Sequence, residues 1–263
     1  MKKTSLYIVI ALIAAISAVI WYRAEKTITP EPTLDTIIVG TNAEFQPFSF
    51  KHNDQIVGFD IDVIQEVFKR LGKQITLKDM PFDALIPEIQ IGNIHVIAAG
   101  ITPTEERAQR ALFTHPHLTG NPLVIISSKK TSLDSEGQAL TKLEDLAGKT
   151  VVVNEGYLSD SFMSEQPGVE LLRLSSPLVS DGMLALQSSR ADAFVTASHS
   201  IKPYFEKYSI DDFNVIPIPN TQETSAFAIS KHYPDLRRDI QVTLNDVEKD
   251  GTLAAIKTKW NLL

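Results

Sequence analysis

The chain has 263 residues, 43% of them hydrophobic, a formal charge of −7 at pH 7 and no cysteine. The apolar fraction excludes a disordered or collagen-like chain, and the acidity argues against a nucleic-acid partner, because phosphate binding is driven by clustered cations. Without cysteine the chain has no disulfide, thiolate nucleophile, iron–sulfur cluster, cysteine-bound zinc or lipidated N-terminal cysteine.

Met1-Lys2-Lys3 leads into Leu6–Tyr22, LYIVIALIAAISAVIWY, seventeen residues without a charge. A basic start and an apolar run read residues 1–24 as a secretory signal or an N-terminal membrane anchor. A span needs about 17–25 apolar residues, so this run sits at the short edge. No small-residue cleavage pattern closes it: Ala15-Ile16-Ser17 lies inside the run, and Trp21 and Tyr22 suit the membrane interface. That favours an uncleaved inner-membrane anchor over residues 6–22. Residues 25–36, with Pro30 and Pro32, read as an extended linker. Discarding the first 34 residues removes Lys2, Lys3, Arg23 and Lys26 against only Glu25 and Glu31, so the body is more acidic than the whole. It is expected to be exported, in the periplasm or cell envelope.

The body alternates strand and helix patterns. Ile37–Thr41 reads as a strand. Gly58-Phe59-Asp60 opens a helix that Asp60 caps, with Ile61, Ile64, Phe68 and Leu71 on one apolar face and Gly72 ending it. Strand Gln74–Lys78, helix Phe82–Gln90 and strand His95–Ala99 follow. The second half repeats the scheme: strand Thr150–Val153, helix Ser159–Glu165, strand Glu170–Leu174, helix Leu178–Ser188 and strand Ala193–Val195. Ser225–Ser230, Leu236–Val247 and Thr252–Trp260 add a closing strand and two helices. This β-α-β-α-β order calls for parallel strands with helices on the sheet faces, an α/β fold. Placing Ile86-x-x-Ile89-Gln90 on Met183-x-x-Leu186-Gln187 brings Val96-Ile97-Ala98 onto Ala193-Phe194-Val195, which predicts two similar lobes. Ligands of such folds enter at the C-terminal ends of parallel strands.

Three stretches carry a resemblance: Gly58-Phe59-Asp60-Ile61-Asp62-Val63, Ile101-Thr102-Pro103-Thr104-Glu105-Glu106-Arg107, and Asp250-Gly251-Thr252-Leu253 followed by Trp260. From about Ile37 to Trp260 the chain resembles the periplasmic solute-binding proteins of polar amino-acid ABC transporters, the group of histidine-, arginine- and glutamine-binding proteins. The resemblance implies a two-lobed flytrap, each lobe a mixed sheet flanked by helices. Residues 37–127 and 221–263 would form lobe 1 and residues 128–220 lobe 2, with crossings near Ile126–Lys130 and Ile216–Gln222. It further implies a monomer without cofactor or metal. Such a protein captures a polar amino acid, arginine or another basic or polar one foremost, and delivers it to the membrane permease of an ABC transporter.

An α-carboxylate needs a planar cation and hydrogen-bond donors, and Arg107 has the matching fork. It stands where the family's carboxylate arginine stands, after T-x-T-x-x-R; read alone, it also fits a surface helix paired with Glu105 or Glu106. The resemblance places Ala99, Gly100 and Thr102 beside the carboxylate, Thr102 through its hydroxyl and N–H and Gly100 through close backbone approach. Phe45 resembles the family's aromatic clamp and Phe82 the opposing wall. Two such faces accept a guanidinium by stacking, worth about 0.5–2 kcal/mol. Asn42 and Glu44 are the polar candidates near the ligand's distal end, Glu44 being equally a solvated loop charge. Phe48, Phe50 and Phe59 are assigned to packing.

The second lobe departs from the family. In Asp192-Ala193-Phe194-Val195-Thr196-Ala197, Ala197 occupies the place of the acid that receives the α-ammonium, and a cation brought out of water without a counter-charge is costly. Glu223 is the substitute candidate; Thr196 and Ser198 with carbonyls, or a ligand without an ammonium, are the alternatives. Leu158 stands where the family often has a hydroxyl and offers its N–H, with Tyr157 and Ser159 as further contacts. No hydrolase, zinc-protease, dinucleotide or P-loop string is present. His115-Pro116-His117 lacks accompanying metal ligands, and Asp60 and Asp62 sit in a helix's first turn, where the macrodipole accounts for them. The same fold also serves a cyclohexadienyl (prephenate or arogenate) dehydratase, which the missing ammonium acceptor favours and the lack of a positioned acid opposes, or a solute-sensing receptor domain.

Overall fold

Thr36–Thr41, TIIVGT, forms strand β1, buried at Ile37 and from Val39 onward. The computed structural model describes residues 34, 36–130, 137 and 139–262, so the expected signal or anchor and nearly all of the linker lie outside the described residues. Among the described residues no helix is long and apolar enough to cross a membrane. After β1 come the two-residue strand β2 (Glu44–Phe45) and a hairpin of β3 (Ser49–His52) and β4 (Gln55–Val57). The hairpin turns on Asn53 and Asp54 at φ 49° and 61°, residue types that tolerate left-handed backbone. Helix α1 (Phe59–Arg70) buries Ile61, Ile64, Val67 and Phe68 along one side. Its entry is set by Gly58 at φ 142°, where a Cβ would lie 2.2 Å from the Phe48 carbonyl oxygen. Strand β5 (Gln74–Asp79), helix α2 (Phe82–Gln90) and strand β6 (Val96–Ile101) complete the first unit. Both strands pair parallel with β1, Gln74 opposite Thr36 and Val96 opposite Val39.

Helix α3 (Glu105–Ala108) and strands β7 (Leu112–Phe113) and β8 (Leu118–Asn121) lead to Pro122, and β9 (Leu123–Ser128) already belongs to a second sheet. There β10 (Thr150–Asn154), α4 (Leu158–Ser164), β11 (Glu170–Leu174), α5 (Val179–Gln187) and β12 (Ala193–Ala197) repeat the first unit. The central orders β5-β1-β6 and β11-β10-β12 are one arrangement used twice, and the matched segments at 86–90 and 183–187 fall in α2 and α5. Helix α6 (Ser198–Lys207) and strand β13 (Phe213–Pro217) finish the second sheet, ordered β11-β10-β12-β9-β13. Strand β14 (Glu223–Ile229) returns to the first, ordered β5-β1-β6-β14-β7 with β8 also on β14, and helices α7 (Pro234–Lys249) and α8 (Thr252–Lys259) pack against α1.

Each sheet buries both faces, as parallel strands require. In the first, Val39, Val96 and Ile229 meet Phe68 and Ile240, while Ile97 and Ala228 meet Leu85 and Ile89. In the second, Val151 and Val195 pack with Met163, and Val152 and Phe194 with Met183 and Leu186. Two of the family-like motifs, almost 200 residues apart in sequence, meet here: Asp62 Oδ2 accepts from Trp260 Nε1 at 2.8 Å and from Lys259 Nζ at 2.6 Å. Asp62 thus has a tertiary partner in addition to its place at the helix start.

The crossings run side by side. Asn121 pairs with Glu223, Val124 with Pro217, and Leu123 N donates to Thr221 Oγ1 at 3.1 Å. The first crossing falls at Pro122 rather than near Ile126–Lys130. Leu123–Ser128 is bonded to β12 on one side and β13 on the other, so this apolar run is an interior strand of the second sheet and not the end of lobe 1. Lys129 and Lys130 accordingly sit at the far end of β9, where Lys129 Nζ donates to Asp211 O at 2.9 Å and Lys130 Nζ to Asp212 at 2.7 Å.

Candidate ligand-binding site

The loops after β1, β6 and β10 meet at the C-terminal ends of those strands, where ligands of such sheets bind. Thr104 caps α3, its Oγ1 accepting from Arg107 N at 3.2 Å, and so fixes the turn that presents Arg107. The half-buried guanidinium donates from Nη1 to Thr102 O at 2.8 Å and from Nη2 to Gly156 O at 2.9 Å. Its Cζ lies 5.3 Å from the Phe82 ring centre. Burial lowers its pKa, opposed by Glu223, Glu106 and Tyr157, yet a guanidinium remains charged in any protein. Glu106 pairs with Arg110 at 3.3 Å.

Glu223, only 6% exposed, opens β14 beside this cation. Asn121 Nδ2 donates to its Oε2 at 3.4 Å. Burial pushes its carboxyl up to about 7, with Arg107 pulling the other way. Thr102 Oγ1 donates to Thr224 O at 2.9 Å and accepts from Thr224 N at 3.1 Å, tying the Arg107 loop to β14. The Thr102 hydroxyl proton is therefore committed to backbone. Ala197 ends β12 without a carboxylate, and Asp192 sits at the other end of the strand, accepting from Thr150 N at 2.9 Å.

Gly156, at φ 78°, makes the turn between β10 and α4 and sends Tyr157 across the cleft. Tyr157 is 7% exposed among rings of the first lobe. It stacks on Phe82 with ring centres 4.4 Å apart, meets Phe45 edge-on at 5.1 Å, and donates from its hydroxyl to Asn42 Oδ1 at 3.3 Å. Phe45 in turn stacks on Phe48 at 5.0 Å and lies against Gly100. Asn42, Phe45, Phe82, Gly100, Thr102, Arg107 and Glu223 are thus gathered around one place. Ala99 points its methyl into the core with Leu85 and Ile89. Glu44 is exposed at the mouth, and Leu158 and Ser159 open α4 behind Tyr157. Next to Tyr157 a cavity of about 640 Å³ is lined by Phe82 and the carboxylates Glu44, Asp79, Asp83 and Glu155.

Asp60 does not cap α1, whose N-cap is Gly58. It is fully buried and accepts from Gly100 N at 2.6 Å and from Ser225 Oγ at 2.7 and 2.8 Å, and it bonds His117 Nε2 at 3.0 Å. This hub under the site was missed, although Asp60 lies three and four residues before Val63 and Ile64, on the buried side of α1. It also gives His117 a role in packing. Among the described residues no group of three His, Asp or Glu side chains is placed to hold a metal ion.

Residues 37–262 match the bacterial extracellular solute-binding proteins, family 3. The chain belongs to that family. This family 3 protein is 30% identical over 227 residues to the arginine-binding extracellular protein ArtP of Bacillus subtilis (strain 168), covering 85% of each chain. It also resembles the solved structure of an ancestral arginine-binding protein bound to arginine, with a TM-score of 0.77 and 33% identity over 87% of this chain and 99% of that one. The same holds for an ancestral arginine-binding protein bound to glutamine, with a TM-score of 0.77 and 32% identity over 88% and 100% of the two chains. Family 3 proteins bind solutes, and the chain is a binding protein rather than an enzyme.

Proposed function

We propose that this protein captures a polar amino acid between its lobes and passes it to the membrane permease of an ABC importer, working as a monomer in the periplasm or cell envelope. The observation that carries the reading is Arg107, a buried-edge guanidinium held by one carbonyl from each lobe and flanked by Glu223. Of its five N–H groups, two are engaged by those carbonyls among the described residues, leaving donors for a carboxylate. Glu223 takes over the ammonium that Ala197 does not receive. A ligand bridging both groups binds the closed arrangement better than an open one and so drives closure. The cavity lined by Phe82 and four carboxylates favours a cationic side chain, arginine foremost, in keeping with the arginine bound by one of the ancestral proteins. The apolar run at 6–22 would hold the protein at the membrane.

A thermal-shift panel of the twenty amino acids tests this reading. A ligand at 100 times its dissociation constant stabilises by about 2.7 kcal/mol, a shift of several degrees; no shift with any amino acid overturns it.

A further inference from the structure

The ring of Tyr157 stands between Phe45 and Phe82, the two faces expected to hold the ligand's side chain. It is held there by a stack, an edge-on contact and the hydroxyl bond to Asn42. It reaches this slot because it follows Gly156, whose carbonyl is itself tied to Arg107. We propose that Tyr157 sets the size of side chain the site accepts: its ring is the resident occupant of the aromatic slot, and a long planar ligand side chain binds there only by displacing it. This rests on the amino-acid reading above and deepens it.

Rings with centres 4.4 and 5.1 Å apart leave no layer between them for a guanidinium or amide, since stacked planes need about 3.5–4 Å each side at van der Waals contact. A short side chain, by contrast, ends before the slot and leaves Tyr157 in place. The acidic cavity beside the slot, lined by Phe82 and Tyr157 together, gives the phenol somewhere to swing and a cation a reason to enter. Tyr157 therefore weakens long planar ligands relative to short ones, whereas any effect it has on the Arg107 and Glu223 subsites is shared by all amino acids.

The test compares arginine, glutamine and alanine on the full-length wild type, Tyr157→Ser and Tyr157→Phe by calorimetric titration. Tyr157→Ser is expected to raise arginine and glutamine affinity relative to alanine at least tenfold, and Tyr157→Phe, which keeps the ring and its stack but loses the Asn42 bond, to raise that ratio less than Tyr157→Ser does. A uniform change in cross-lobe closure moves all three ligands together and cancels in the ratio. In parallel, nitration of wild-type Tyr157 by tetranitromethane, located by peptide mass spectrometry, should accelerate when arginine saturates the site, because a displaced phenol leaves its buried position. An unchanged or reversed ratio in Tyr157→Ser, or protection of Tyr157 by arginine, overturns the proposal and leaves the amino-acid reading intact. Absence of binding by every amino acid to all three proteins overturns both.

Discussion

Arg107 Nη2 donates to the Gly156 carbonyl at 2.9 Å, so the cation proposed to receive the ligand's carboxylate is also a bond between the lobes. Removing it acts twice. Arg107→Ala should weaken any carboxylated ligand by roughly 100-fold, since charge-assisted hydrogen bonds contribute about 1.5–3 kcal/mol each and tenfold is about 1.4 kcal/mol. Arg107→Lys keeps the charge and loses the fork, and should cost about tenfold. Titration calorimetry on both variants checks this; full affinity in Arg107→Ala sinks the site.

Glu223 makes affinity and stability run in opposite directions with pH. Below about 7 its carboxyl is neutral and offers no counter-charge, so affinity for a zwitterionic amino acid should fall up to tenfold per pH unit below that value. The fold responds otherwise. A carboxyl whose folded pKa lies above its ordinary 4.5 holds its proton more tightly when folded, so its stabilisation is fully present below about 4.5 and is lost as pH rises through about 7. Glu223→Gln should flatten both profiles, at low affinity. A wild-type binding curve flat from pH 5.5 to 8 contradicts this role.

Asp60 gathers Gly100, Ser225 and His117 onto one buried carboxyl. Asp60→Ala leaves those groups buried without their acceptor, at about 1–3 kcal/mol for each one left unpaired. A loss of at least about 3 kcal/mol is expected by urea unfolding. A loss below 1 kcal/mol would show that water replaces the carboxyl easily.

Gly100 has φ 64°, and a Cβ there would lie 2.8 Å from the Phe45 ring. Gly100→Ala combines left-handed strain of about 1–3 kcal/mol with a push on the clamp. It should lower stability by that amount and weaken ligand binding several-fold, whereas Gly72→Ala, with open space around the Cβ and a comparable φ of 65°, should lower stability alone.

What the sequence makes legible is the periodic and the local. The doubled β-α-β-α-β order could be read because apolar spacing and glycines mark each element, and Ile86–Gln90 could be laid on Met183–Gln187 because equivalent helices bury equivalent faces. The turn of T-x-T-x-x-R was reachable for the same reason: Thr104 caps it and aims Arg107. Long-range partnerships were not. Nothing within a few residues of Asp60 announces Gly100, 40 positions away, or Ser225, 165 away, so a buried acceptor reads as a helix-start charge. The first crossing slipped for a related reason. A fully apolar run such as Leu123–Ser128 suits the interior of either sheet, and only its pairing with β12 and β13 decides which.

The adjacency of Asn121 to Glu223, and of Val124 to Pro217, makes the second lobe an insert whose entrance and exit share one doorway. Two cuts at neighbouring points in space, at Pro122 and within 218–222, therefore excise it whole while the first sheet keeps its strand pairs. Lobes can on this plan be traded between relatives as modules. A chimera joined at that doorway takes the proposed Arg107 and Glu223 subsites from one parent and the Gly156–Tyr157 turn from the other, so on that reading ligand choice can be recombined without redesigning either core.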